Sequence, residues 1–146
     1  MRLLKSPNSW SCLPTAFAMA CNVSLREFLE LVGHDGSENV FSGPRPQVAF
    51  HIQECYEAAL ILGYLCTPLD FKITSSPDGV QRHVLYRDLI VLSVMSKMNG
   101  VLLGMGKNCR HATAWDTKQI YDPAGRFYDF KNQFFTPETF IIVKSI

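Results

Sequence analysis

The 146-residue chain has no run of Lys or Arg, no C-x-x-C pair and no apolar stretch near the ~20 residues needed to cross a bilayer. Each absence closes a class of function. The 14 basic and 13 acidic residues nearly cancel, so no surface is expected that tracks a phosphate backbone or grips an anionic membrane. Nucleic acid and membrane are therefore not expected as partners. The longest apolar stretch, Leu89 to Met98, is interrupted by Ser93, Ser96 and Lys97. Near the N-terminus, Arg2 and Lys5 are followed by polar sequence up to Trp10 and not by the apolar core of a secretory signal, which predicts a cytoplasmic location. Cys12, Cys21, Cys55, Cys66 and Cys109 are odd in number and irregular in spacing, which argues against a disulfide framework and against a zinc knuckle. No metal and no other cofactor is expected, and Cys21, Cys55 and Cys66 read as reduced thiols in a core.

What is present fits one compact domain over residues 1–146: 47% of residues are apolar and 18% charged, in a length that supports a single core. The run from Cys12 to Cys21 is rich in helix formers, and Pro14 is tolerated only in a first turn, so a helix is expected to start at about Cys12. Ser24 followed by Glu27 is a capping box, and Leu25, Phe28, Leu29 and Val32 repeat at helical spacing until Gly33. After a Gly/Pro-marked break at Gly43 to Pro46, the residues Val48, Ile52, Cys55, Ala59 and Leu62 line one face of a third helix that Gly63 stops. A fourth helix is predicted from about Arg87 to Met98.

The remainder is β-like. Val101 to Met105, His111 to Trp115, Gln119 to Tyr121 and Thr139 to Lys144 read as short strands, with turns at Asp116-Thr117-Lys118 and Asp122-Pro123-Ala124-Gly125. Helices first and an antiparallel meander after them predict an α+β fold, with an N-terminal helical half packed on a C-terminal antiparallel sheet.

Two residue types carry the chemistry. A nucleophilic cysteine must be a thiolate, and unpaired N–H groups at a helix start favour that charge, which singles out Cys12. Cys21 lies nine residues on, about 180° around the helix, and cannot share its site. The thiol needs a base. Of His34, His51, His83 and His111, only His111 sits in a strand pattern whose neighbour across a turn ends in a carboxylate, Asp122. The ordered set Cys12, His111, Asp122 is the arrangement of a thiol nucleophile, its base and the group that orients the base. Asp116 is the alternative carboxylate, with a turn-forming role as its simpler reading. Trp10 reads as a groove wall or core cover, and Phe127, Tyr128, Phe130, Phe134 and Phe135 as core or cleft wall.

Trp10-Ser11-Cys12-Leu13-Pro14-Thr15-Ala16, the helix from Ser24 to Gly33, Gly63-Tyr64, Gly100-Val101-Leu102-Leu103, His111-Ala112-Thr113-Ala114 and Tyr121-Asp122-Pro123-Ala124-Gly125 occur in the order found in papain-like cysteine peptidases. The chain resembles most closely the peptidase domains that trim double-glycine leaders from bacteriocin precursors. That resemblance implies a papain-like fold, a thiol hydrolase acting on a peptide or isopeptide bond of a peptide or protein substrate, a bacterial or phage source, and catalysis by Cys12, His111 and Asp122. The chain departs from the pattern at Ser6, where the family carries an oxyanion-binding Gln. Asn8 is the candidate replacement, beside the Cys12 backbone N–H. Alternatives that keep the fold are a deamidase, an acyl or amine transferase, and an inactive binding module that inhibits a host protein.

Overall fold

The computed structural model describes residues 1–37, 50–71, 73–75, 81–83 and 85–146. The expected break at Gly43 to Pro46, and Val48 with it, lie outside these residues. Helix α1 spans Cys12–Ala20 and α2 spans Leu25–Val32. Ser24 Oγ accepts from the Glu27 N–H at 3.1 Å, as the capping box predicts. Gly33 closes α2 with φ +91°, a left-handed conformation that a side chain would strain, while its N–H reaches Leu29 O at 2.9 Å. Ser24→Ala removes the acceptor for the Glu27 N–H and should lower stability by about 1 kcal/mol in urea unfolding.

Helix α3 spans Ile52–Ile61. Phe17 of α1 stacks on Phe28 of α2 and meets Tyr56 of α3 edge-on, each at 6.1 Å between ring centroids. One aromatic side chain therefore ties the three helices together. After α3 the chain does something not foreseen from its pattern: Tyr64–Asp70 forms strand β1, and Ile73–Ser75 (β2) pairs with Gln81–His83 (β3) as a small separate ribbon. Helix α4 follows at Leu85–Met95, starting earlier and ending sooner than expected.

Strands β4 (Gly100–Met105), β5 (Arg110–Trp115), β6 (Ile120–Asp122) and β7 (Arg126–Tyr128) then run as an antiparallel meander, and β8 (Thr136–Ser145) returns to the opposite edge of β4. The six-stranded order is β1-β8-β4-β5-β6-β7, with every pairing antiparallel. The last strand thus sits inside the sheet, between an edge strand from the helical half and the meander. Side-chain alternation divides the core between two faces. Val101, Ala112, Ile141 and Val143 pack with α1, α2 and α3, while Leu102, Trp115, Ile120, Phe135 and Phe140 pack on the other face with Val91 and Met95 of α4. The arrangement is α+β as expected, with α4 as a cover on the face away from the first three helices. Among the described residues no helix is long and apolar enough to cross a membrane.

Candidate active site

Cys12 is the first residue of α1, and the Ser11 side chain makes no capping bond, so the first-turn N–H groups remain available to a negative sulfur. The thiol is half-buried, between solvent and core. Burial alone raises its pKa. The hydrogen bond and charge of His111, joined by the Ala112 and Leu13 N–H groups, act the other way, and the net position is below an ordinary thiol.

His111 lies near the start of β5, next to Ala112, against which α1 packs. Its Nε2 meets Asp122 Oδ1 at 2.8 Å, which leaves Nδ1 as the ring atom for Cys12. Burial alone would lower the imidazole pKa, but hydrogen bonds and charge from Asp122 and Cys12 raise it to about 10. Both shifts favour an imidazolium beside a thiolate. The two groups hold one proton between them and titrate as a pair.

Asp122 ends β6, where it is 2% exposed. The β5–β6 register pairs Ala114 with Tyr121, so continuing it by one residue sets Asp122 opposite Thr113, on the same face as His111 and diagonal to it. The tight hairpin therefore reaches. Burial of Asp122 raises its pKa, yet His111, the Tyr128 hydroxyl and the Ala124 N–H hold it below the usual carboxylate value. Ala124 N–H donates to Oδ1 at 2.8 Å, and Tyr128 Oη–H donates to Oδ2. Asp116 is absorbed by its turn: Oδ1 accepts from the Lys118 and Gln119 N–H groups at 2.9 Å each, and Oδ2 from Tyr121 Oη–H at 2.8 Å.

The segment before the nucleophile is stitched to its surroundings. Ser6 N–H donates to Pro123 O at 2.7 Å, which joins the cysteine segment to the carboxylate turn, and Ser6 Oγ–H donates to Asn8 O at 2.7 Å. Asn8 Oδ1 accepts from Trp10 N–H at 3.1 Å, which fixes the side-chain amide through one end and leaves Nδ2 as its donor. Trp10, which is exposed, donates through Nε1 to Asp35 O at 3.1 Å. It covers no core.

The other histidines stand apart from this cluster. His34 pairs through Nε2 with Glu54 at 2.9 Å and accepts the Gly36 N–H at Nδ1, a tie between the α2 exit and α3. His51 precedes α3, and His83 ends β3. Cys21 and Cys55 are buried with thiol pKa values pushed up by burial, to about 12 for Cys21, while Cys66 is half-buried at about 11 and Cys109 is exposed. Among the described residues no group of three or more His, Cys, Asp or Glu side chains could hold a metal ion.

Two neighbours, read from the sequence only as core or cleft wall, touch the site. Phe135 meets the His111 ring edge-on at 5.8 Å, and Tyr128 holds the second oxygen of Asp122. The hairpin pattern carried a signal for Tyr128. A turn at Asp122 to Gly125 places Tyr128 opposite Ile120, one diagonal step from Asp122 on the same face.

No family model matches the sequence, and no curated protein is a significant match. Among solved structures, the chain is similar to the peptidase domain of Streptococcus ComA, a bi-functional ABC transporter involved in a quorum-sensing pathway. The match covers 99% of this chain and 98% of that one, with a TM-score of 0.56 and 14% sequence identity. The likeness expected from the ordered motifs thus holds at the level of the fold, which is the papain-like α+β one.

Proposed function

We propose that this chain is a cysteine peptidase in which Cys12 is the nucleophile, His111 the acid–base group, Asp122 the residue that orients it, and Asn8 an oxyanion donor. The observation that carries this reading is the chain of contacts from Asp122 through the imidazole to an acidified thiol at a helix start. The fold of a peptidase domain agrees with it.

The chemistry follows from these positions. The Cys12 thiolate adds to the carbonyl carbon of the scissile bond, and the negative oxygen is received by the Cys12 N–H and Asn8 Nδ2. As the C–N bond breaks, the His111 imidazolium gives its proton to the leaving nitrogen, and an acyl-thioester remains on Cys12. Neutral His111 then takes a proton from water as that water adds to the thioester. Breaking of the C–S bond releases the acid, and the proton on His111 restores the ion pair. Asp122 stays ionised throughout and keeps Nε2–H pointed away from the sulfur. Beside the imidazole, Phe135 also lines an apolar cavity of about 460 Å³ with Phe71, Leu89, Leu92, Phe130 and Pro137, a place suited to an apolar substrate side chain.

The test needs no substrate. Alkylation of Cys12 by iodoacetamide, followed by peptide mass spectrometry from pH 5 to 11, is expected to be fast already near pH 6, where an ordinary thiol of pKa ~8.5 is almost wholly protonated. In His111→Ala the largest of the groups that offset the burial of Cys12 is lost, leaving only the Ala112 and Leu13 N–H groups, so its pKa should rise and the rate at pH 6 should fall by about tenfold or more. Slow alkylation of the wild type that is indifferent to His111 would refute the enzyme reading.

A further inference from the structure

Asp122 has two oxygens with different duties. Oδ1 faces His111 Nε2 at 2.8 Å and accepts the Ala124 N–H at 2.8 Å, whereas Oδ2 faces Tyr128. The Asp122 side chain is 3% exposed, so little solvent competes for either oxygen. The carboxylate plane is therefore fixed by three donors, and the phenol is the one that reaches it from β7, across the hairpin from the turn that carries Asp122. The Tyr128 ring is itself held: Phe134 packs on it at 5.3 Å between centroids, and the Arg126 guanidinium lies 4.0 Å above the Phe134 ring and 6.0 Å from the Tyr128 centroid.

We propose that Tyr128 is a positioning residue that acts through Asp122, fixing the direction of Oδ1 and moderating the pull of the carboxylate on the His111 imidazolium. The proposal rests on the cysteine-peptidase reading of Cys12 and His111. A phenol that donates to Oδ2 draws negative charge toward that oxygen and away from Oδ1. Among the described residues, the charged and titratable groups that act on Tyr128, Asp122 and His111 are these three themselves, Cys12 on α1, which acts on His111, and Arg126 on β7, which acts on Tyr128. Of these, Asp122 is the one that accepts the phenol proton in a hydrogen bond, and burial together with that bond keeps the phenol protonated. Two opposed effects follow from losing the donor: Oδ1 gains charge and holds the imidazolium more tightly, while the carboxylate is freer to turn.

Tyr128→Phe keeps the ring against Phe134 and deletes the hydroxyl. The upper limb of the Cys12 alkylation profile, where His111 loses its proton, is expected to move up by about 0.5 pH unit. Turnover of any peptide substrate should fall by about tenfold in kcat with little change in KM. Site-specific 3-fluorotyrosine at residue 128, a stronger donor of nearly the same shape, should move that limb down. Opposite displacements by the two replacements are the signature of a charge effect through Asp122, which a packing role would not produce. Phe134→Leu, which changes the packing on Tyr128 but leaves its hydroxyl, should leave the limb in place.

If the wild type shows thiolate reactivity near pH 6 but neither replacement moves the upper limb, Tyr128 is a structural residue only and the proposal fails. If Tyr128→Phe does not fold, the fluorotyrosine protein decides alone, since an unmoved limb overturns the proposal. Absence of low-pH reactivity in the wild type would instead sink the underlying peptidase reading, an outcome visible before any replacement is made.

Discussion

Cys12→Ala is expected to abolish hydrolysis, by at least about 10⁴-fold, with the fold unchanged. Alanine suits the first turn of α1, and Cys12 is only half-buried, so little packing is lost. Cys21 lies at the far end of α1 with its pKa raised to about 12, and it could not ionise near neutral pH even if it could reach the substrate. The measurement is the appearance of new N-termini in a library of peptides, read by mass spectrometry with wild type and variant in parallel. New termini in both samples would remove Cys12 from the mechanism. A gain of about 1 Da at Gln or Asn residues without new termini would point to amide hydrolysis on a side chain through the same acyl-thioester.

The second large effect concerns stability and arises where strand β8 crosses β4. Register shifts between Leu103 and Gly104, and at that bulge a Cβ on Gly104 would lie 2.0 Å from Thr136 O and 2.9 Å from Pro137 Cα. Those neighbours are backbone and cannot swing aside. Gly104→Ala should therefore cost about 3 kcal/mol or more, seen as a fall of about 10 °C in Tm. Gly104 is also the register partner of His111, so the same variant should slow Cys12 alkylation at pH 6. Gly106→Ala is the control, because its added Cβ would meet nothing nearer than 3.4 Å and should cost about 1 kcal/mol or less. Equal losses in the two variants would show that the close approach at the bulge has no special weight.

Sequence patterns resolved the α1 and α2 boundaries because each has a local chemical mark: Pro14 in a first turn, Ser24 with Glu27, and Gly33 at φ +91°. Strands β4, β5 and β6 were equally plain, since Asp116 and the Asp122 to Gly125 segment mark their turns, but the strand expected from Thr139 to Lys144 does not continue the meander and lies instead between β1 and β4. Strand β1 was hidden by Pro68, which argues against a strand interior and yet is tolerated because β1 is the edge of the sheet. Pro137 hid the front of β8 in the same way: it stands opposite Gly104 at the bulge, where a missing N–H costs little. Strand β7 is three residues long, too short for alternation to show. In the candidate site, His111 lies beside both Asp122 and Cys12. The ties of Ser6 to Pro123 and of Trp10 to Asp35 depend on backbone carbonyls, which carry no residue identity and so leave no mark in a sequence.

The position of β8 has a consequence for how the protein is made. All the residues of the proposed site, from Asn8 to Tyr128, emerge from the ribosome before β8 does. Until Thr136–Ser145 is available, however, β1 and β4 lack the strand that lies between them, and the apolar residues Phe140 and Ile141 are missing from both faces of the core. A nascent chain that already carries Cys12, His111 and Asp122 therefore has no complete sheet to hold them in register. Thiol reactivity at Cys12 is therefore expected to require β8 in its place, and a chain ending before Thr136 should alkylate slowly at pH 6.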